Sequence, residues 1–97
     1  MKVTVKMGAP LSQVVGEKKV ILHLEEGATA AGLLAELGSR YPDFDAGLKG
    51  QGLRTPYDRV LYQMFVNGRP VTFEAAAGRP LRDGDRVALF LPVAGGD

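Results

Sequence analysis

The chain has 97 residues, 45% hydrophobic and 24% charged, a composition that suits one globular domain and excludes a disordered or fibrous chain. Twelve Lys plus Arg against eleven Asp plus Glu leave a formal charge of +1, so no bulk field argues for nucleic acid or an anionic membrane as a partner. With no cysteine there is no disulfide, no thiolate nucleophile and no cysteine-ligated metal, and no segment approaches the roughly 18 to 20 apolar residues of a spanning helix, so a soluble, cytoplasmic protein is expected.

The opening MKVTVKM alternates, with Val3, Val5 and Met7 facing one way and Lys2, Thr4 and Lys6 the other, which is the period of a strand with one wet face. Gly8, Ala9, Pro10 and Gly16 read as loop and turn residues ahead of a second strand, KKVILHL. Its Val20, Leu22 and Leu24 face the core while Ile21 and His23 face away, and the two strands make a hairpin with a long loop. In EEGATAAGLLAELGSRYP the period changes. Ala30, Leu33, Leu34, Leu37 and Tyr41 form one helical stripe, Thr29 is placed to cap it, and Pro42 ends the helix at about Arg40. Gly32 inside that helix marks either a close approach to the sheet or simple tolerance.

From Pro42 to Arg59, Gly47, Gly50, Gly52 and Pro56 break every candidate run, so the stretch is read as a connection with at most one short helical turn. VLYQMFVNGRPV is a strand stopped by Asn67-Gly68, a dipeptide suited to a tight hairpin turn, with Val71 and Phe73 in a short return strand. Asp83-Gly84 then turns the chain into a last strand in which Val87, Leu89 and Leu91 alternate with Ala88, Phe90 and Pro92. This order predicts an α+β fold of two layers, one main helix packed on one face of a mixed four- to five-stranded sheet. A β-grasp, with the first and last strands parallel at the centre, is one of a few topologies the pattern permits.

If Met64, Val66, Val87 and Leu89 point toward the helix, alternation turns Phe65 and Phe90 to the opposite side of the sheet. Contiguous exposed apolar surface marks contact sites, so these two are either a partner surface or a satellite core covered by the 42–58 connection. Other constellations are weak. His23, the only histidine, has Glu25 and Glu26 beside it but no second His or Cys to complete a metal site, so it reads as a surface-strand residue. Asp43, Asp45 and Asp58 lack the spacing of a calcium loop, and Gly47, Gly50 and Gly52 lack the lysine and setting of a phosphate loop. Arg54, Arg59, Arg69, Arg79, Arg82 and Arg86 could face an acidic partner, but Asp83 and Asp85 interleave with them, as on an ordinary mixed surface.

The run FVNGRP, then LRDGDRVALF, then PVAGG resembles the MoaD/ThiS-type sulfur carriers and their ubiquitin-like small modifier relatives, most closely the MoaD-like branch. The likeness covers Met1 to Gly96 in element order and is strongest from Phe65 onward. Leu91-Pro92 stands where two prolines are commoner, and the Asp45–Asp58 connection is longer than in the smallest carriers. The resemblance implies a ubiquitin-like β-grasp domain over 1–92 and a flexible Gly-Gly tail over 93–97. It implies a carrier and not an enzyme, with no bound cofactor. The Gly96 carboxylate would be adenylated by an E1-like enzyme using ATP and converted to a thiocarboxylate that donates sulfur, with molybdopterin synthesis the first expectation and thiamine synthesis or another sulfur-transfer route still open. Gly95 and Gly96 would thread a narrow channel, and Phe65, Phe90, Pro92 and Val93 would meet partners, among them a sulfur-acceptor synthase subunit. Asp97 sits where the activated carboxylate has to be, so a peptidase that removes it is expected. Two other readings stay open: a modifier joined to lysines through Gly96, and an interaction domain without the chemistry.

Overall fold

The computed structural model describes residues 1–48 and 62–91. Five strands, β1 (Lys2–Met7), β2 (Lys19–His23), β3 (Gln63–Val66), β4 (Arg69–Val71) and β5 (Arg86–Phe90), form one sheet in the order β2-β1-β5-β3-β4. Three helices, α1 (Leu11–Val15), α2 (Ala30–Arg40) and α3 (Phe44–Leu48), and a 3₁₀ turn at Ala76–Gly78 complete the described chain. β1 and β5 run parallel at the centre, and each pairs antiparallel with its other neighbour, β2 and β3. This is the ubiquitin-like β-grasp, an α+β fold with a mixed sheet.

The core follows from the alternation. Val3, Val5 and Met7 of β1, Val20 and Leu22 of β2, Met64 and Val66 of β3, and Val87 and Leu89 of β5 are all buried on one face. Against them α2 lays Ala30, Leu33 and Leu37, each fully enclosed, and a leucine of this kind contributes about 1.5–3 kcal/mol of transfer free energy. Thr29 caps α2 as expected, its Oγ1 accepting from the Gly32 N–H at 3.2 Å, and the helix ends at Arg40 before Pro42. Of the predicted stripe, Leu34 and Tyr41 are only partly buried, as are Leu24 and Leu91 beyond their strand ends.

Two readings need correction, and a third, the short helical turn of the connection, is borne out. The stretch after Gly8 is not only loop: Leu11–Val15 form α1, which packs against α3, and Leu11 joins the main core. Phe73 is not in the return strand, because β4 stops at Val71, and its ring packs partly buried against the core. The single helical turn of the connection is α3, whose Phe44 and Leu48 are core residues and which also packs against α2. The described part of the 42–58 connection therefore lies on the helical layer and not over the opposite face. Its remainder falls outside the described residues.

Candidate functional site

Two of the three sequence segments that carry the resemblance, FVNGRP and LRDGDRVALF, are physically interlocked. Asn67 has φ 52° and Gly68 φ 82°, the left-handed pair a two-residue hairpin turn requires between β3 and β4. The Asn67 side chain reaches past that turn to β5: its Oδ1 accepts from the Arg86 N–H at 3.0 Å and its Nδ2 donates to Asp85 Oδ1 at 2.9 Å. The Asn67 N–H also donates to the Arg86 carbonyl. Across the Asp83-Gly84 turn, Asp85 Oδ2 accepts from the Arg82 N–H at 2.8 Å, while Asp83 Oδ1 accepts from the Lys2 N–H at 2.7 Å and the Gly84 N–H donates to the Lys2 carbonyl. Both acidic residues are thus acceptors that hold the entry of β5 between β1 and β3.

Electrostatics agree with that role. Partial burial pushes the Asp85 carboxyl up, but the hydrogen bonds from Asn67 and Arg82 and the nearby guanidinium groups of Arg79 and Arg82 outweigh it and hold the carboxyl below its ordinary value. On the far side of the core, burial raises the Tyr62 phenol above its ordinary value, opposed by the Leu11 N–H that donates to its oxygen at 2.7 Å.

At the exit of β5, the Gly8 N–H donates to the Leu89 carbonyl at 2.9 Å, which carries the parallel pairing to the last residues of the strand. Phe90 follows, 41% exposed on the face away from the helices. Its ring lies over Gly8 so closely that a Cβ there would sit 2.5 Å from Phe90 Cδ1. Phe65 pairs with Ala88 and with Pro70 on the same face and is half-buried, less exposed than alternation alone suggests. Lys6, Phe65, Asn67, Gly68, Arg86, Ala88 and Phe90 line a shallow open hollow there. Ile21, also 41% exposed, stands beside Thr4 farther across the sheet.

Of the site residues expected from sequence, Phe65 and Phe90 are brought to one face within two strands of each other. Pro92, Val93, Gly95, Gly96 and Asp97 lie outside the described residues. His23 is exposed at the sheet edge, and among the described residues no group of three His, Asp or Glu side chains could hold a metal ion. Nor is any helix among them long and apolar enough to cross a membrane. The sequence reading missed Gly8, whose lack of a side chain makes room for Phe90. The only signal was its place just after β1, one residue past Met7, which pairs with Leu89, and so level with Phe90 once the parallel pairing is drawn.

The sequence matches the model of the ThiS family over residues 5–96. The chain belongs to the ThiS family. Small archaeal modifier protein 3 of Haloferax volcanii is 32% identical over 99% of this chain and all of its own length. Among solved structures, SAMP1 of Haloferax volcanii superposes with a TM-score of 0.75 at 27% identity, covering 99% of this chain and 100% of that one. A Pyrococcus furiosus protein assigned as molybdopterin converting factor subunit 1 superposes with a TM-score of 0.73 at 29% identity, covering 96% and 99%. The ThiS family thus joins ubiquitin-like modifiers and sulfur carriers, which are small partners of enzymes and not enzymes themselves.

Proposed function

We propose that this ThiS-family protein is a sulfur carrier whose Gly96 carboxylate is activated by an E1-like adenylating enzyme and converted to a thiocarboxylate, with molybdopterin synthesis as the receiving route. The observation that carries the reading is the way β5 is held. Its entry is locked by Asn67, Asp83 and Asp85, its length is paired on both sides, and it ends beside the exposed Phe90, five residues short of Gly95 in sequence. A fixed strand of this kind gives a short tail a defined point of departure, which is what positioning a carboxylate in another protein's active site requires.

The chemistry follows from the carboxylate. It is a poor electrophile; its oxygen attacks the α-phosphate of ATP and displaces pyrophosphate, and the acyl-adenylate then has AMP as a leaving group when a sulfur nucleophile from a second protein attacks. The carrier supplies no acid or base to these steps. Any residue after Gly96, here Asp97, has to be removed by a peptidase first, since its amide leaves no free carboxylate on Gly96. The cytoplasm, where ATP-driven activation takes place, is the expected location. The thiocarboxylate then passes its sulfur through a synthase subunit that binds the same carrier.

The kinship to small archaeal modifier protein 3 favours a second reading, in which a lysine amine attacks the activated Gly96 to give an isopeptide bond. Co-expression of a Gly96-ended chain with its cognate adenylating enzyme, followed by intact-mass analysis, separates the two. Replacement of one C-terminal oxygen by sulfur supports the carrier, and Gly-Gly remnants on lysines of other proteins support the modifier. If neither product forms, the chain is an interaction domain and both readings fall.

A further inference from the structure

The open face of the sheet is charged as well as apolar. Register places Lys2 beside His23, Lys6 beside Lys19, Thr4 beside Arg86 and Lys6 beside Ala88, so Lys2, Lys6, Lys19 and Arg86 share one face with Phe65 and Phe90. All four are exposed, and none of the five strands contains an Asp or Glu. The chain as a whole carries only +1. Taking these four from its twelve basic residues leaves eight against eleven acidic ones, so the rest of the sequence is net −3 while this face is net +4.

Fold stability does not account for the arrangement. Lys6 and Lys19 are direct cross-strand partners, and like charges opposite one another weaken a strand pair. Among the described residues the one ion pair, Arg40 with Glu36, lies on α2. The Asp83 and Asp85 oxygens are engaged at the β5 entry, by the Lys2 N–H, the Asn67 side-chain amide and the Arg82 N–H, away from the Phe90 end. No strand residue offsets the positive charge at the Lys6–Lys19–Phe90 end, and the acidic residue closest to Lys19 in sequence is the exposed Glu17.

We propose that this face docks on an acidic surface of the activating enzyme, whose carboxylates meet Lys6, Lys19 and Arg86 around an apolar recess that takes Phe65 and Phe90. The inference rests on the carrier reading and adds the chemistry of the partner. Complementary charge of this kind speeds encounter and fixes register more than it adds affinity. It also gives the Lys6–Lys19 repulsion a use, since a carboxylate placed between them is attracted to both.

The Lys6→Glu substitution separates docking from folding, because the two effects have opposite signs. It converts a like-charge pair into an opposite pair, so the melting temperature holds or rises, while association with the enzyme slows. Stopped-flow association of the Gly96-ended chain with the cognate adenylating enzyme is the readout. The expected result is a fall of about tenfold for Lys6→Glu at low salt, a comparable fall for the unsubstituted chain as ionic strength rises, and no change for Arg40→Glu on the helical layer. A Lys6→Glu chain that associates as fast as the unsubstituted one, or association that ignores salt, overturns the proposal. So does a duplex oligonucleotide that shifts the backbone amides of Phe65, Ala88 and Phe90 where the enzyme does not. Pyrophosphate exchange at saturating carrier distinguishes the failures: exchange without charge dependence sinks only the acidic docking surface, and no exchange with any Gly96-ended chain sinks the carrier reading and this with it.

Discussion

Replacing Gly8 by Ala tests whether the ring of Phe90 is held in a fixed place at the end of β5. Gly8 lies outside the left-handed region of backbone space, so alanine fits its conformation, but the new Cβ would meet Cδ1 of Phe90 at 2.5 Å and Cε1 at 3.1 Å. Carbon atoms in contact settle at about 3.5–4.0 Å, so the ring must retreat by about 1 Å. Phe90 is 41% exposed and has room to do so, at a cost of about 0.5–1.5 kcal/mol for leaving its preferred rotamer. Against this, alanine narrows the unfolded ensemble and stabilises by about 0.4–1 kcal/mol. The net change in the unsubstituted background is therefore small, between about 0.5 kcal/mol of stabilisation and about 1 kcal/mol of destabilisation. With Phe90→Ala in place the clash is gone, and Gly8→Ala becomes stabilising by about 0.4–1 kcal/mol. A double-mutant cycle by urea denaturation reads the coupling, expected at about 0.5–1.5 kcal/mol. Gly8→Ala alone also weakens enzyme binding, because the displaced ring no longer presents the same apolar edge. If Gly8→Ala has the same effect on stability with and without the Phe90 ring, the ring does not occupy the space over Gly8 and the reasoning is wrong.

Other outcomes follow from the same geometry. Thr29→Ala removes the Oγ1 that accepts from the Gly32 N–H and is expected to cost about 1 kcal/mol, measured by thermal or urea unfolding. Tyr62→Phe leaves the buried Leu11 N–H without its acceptor, for a loss of about 1–3 kcal/mol and faster hydrogen exchange at that amide. Asp85, with its carboxyl held below the ordinary value when folded, adds stability that is fully present above the unfolded Asp pKa of about 3.9 and is lost as pH falls through the lower folded value. Asp85→Asn should flatten the acid limb of a stability-versus-pH curve, and an unchanged limb would remove Asp85 from the account. Phe65→Ser with Phe90→Ser should weaken enzyme binding and leave the fold intact, as judged by circular dichroism. Unfolding of that double variant would place the rings in the core.

The sheet and α2 were legible because their periods are long enough to count. Val3, Val5 and Met7, then Ala30, Leu33 and Leu37, repeat at two and at three to four residues, and each set is buried as a set. α1 was not legible. Five residues between Pro10 and Gly16 make little more than one turn, too short for a periodicity to register, and what secures the helix is Tyr62, 51 residues away. Phe44 and Leu48 were hidden in the same way, one turn inside a stretch broken by glycine, with burial that depends on α1 and α2 arriving alongside. The apolar half of the docking face could be read from alternation at Phe65 and Phe90. Its charged half could not, since the cations of β1, β2 and β5 become one group only after β1 and β5 pair in parallel.

That pairing also bears on how the protein is born. β5 follows the other four strands along the chain yet takes the central position in the sheet, between β1 and β3, so the two hairpins made earlier have no joint until Arg86 to Phe90 emerge. Contacts of such long sequence separation close late and slowly. A nascent chain stopped short of Arg86 lacks the sheet's centre together with the residues beyond it, and presents no finished face for an enzyme to grip. The face an enzyme would grip is therefore complete only once β5 is in place, an order imposed by topology alone, and on the carrier reading the removal of Asp97 remains a separate, later step.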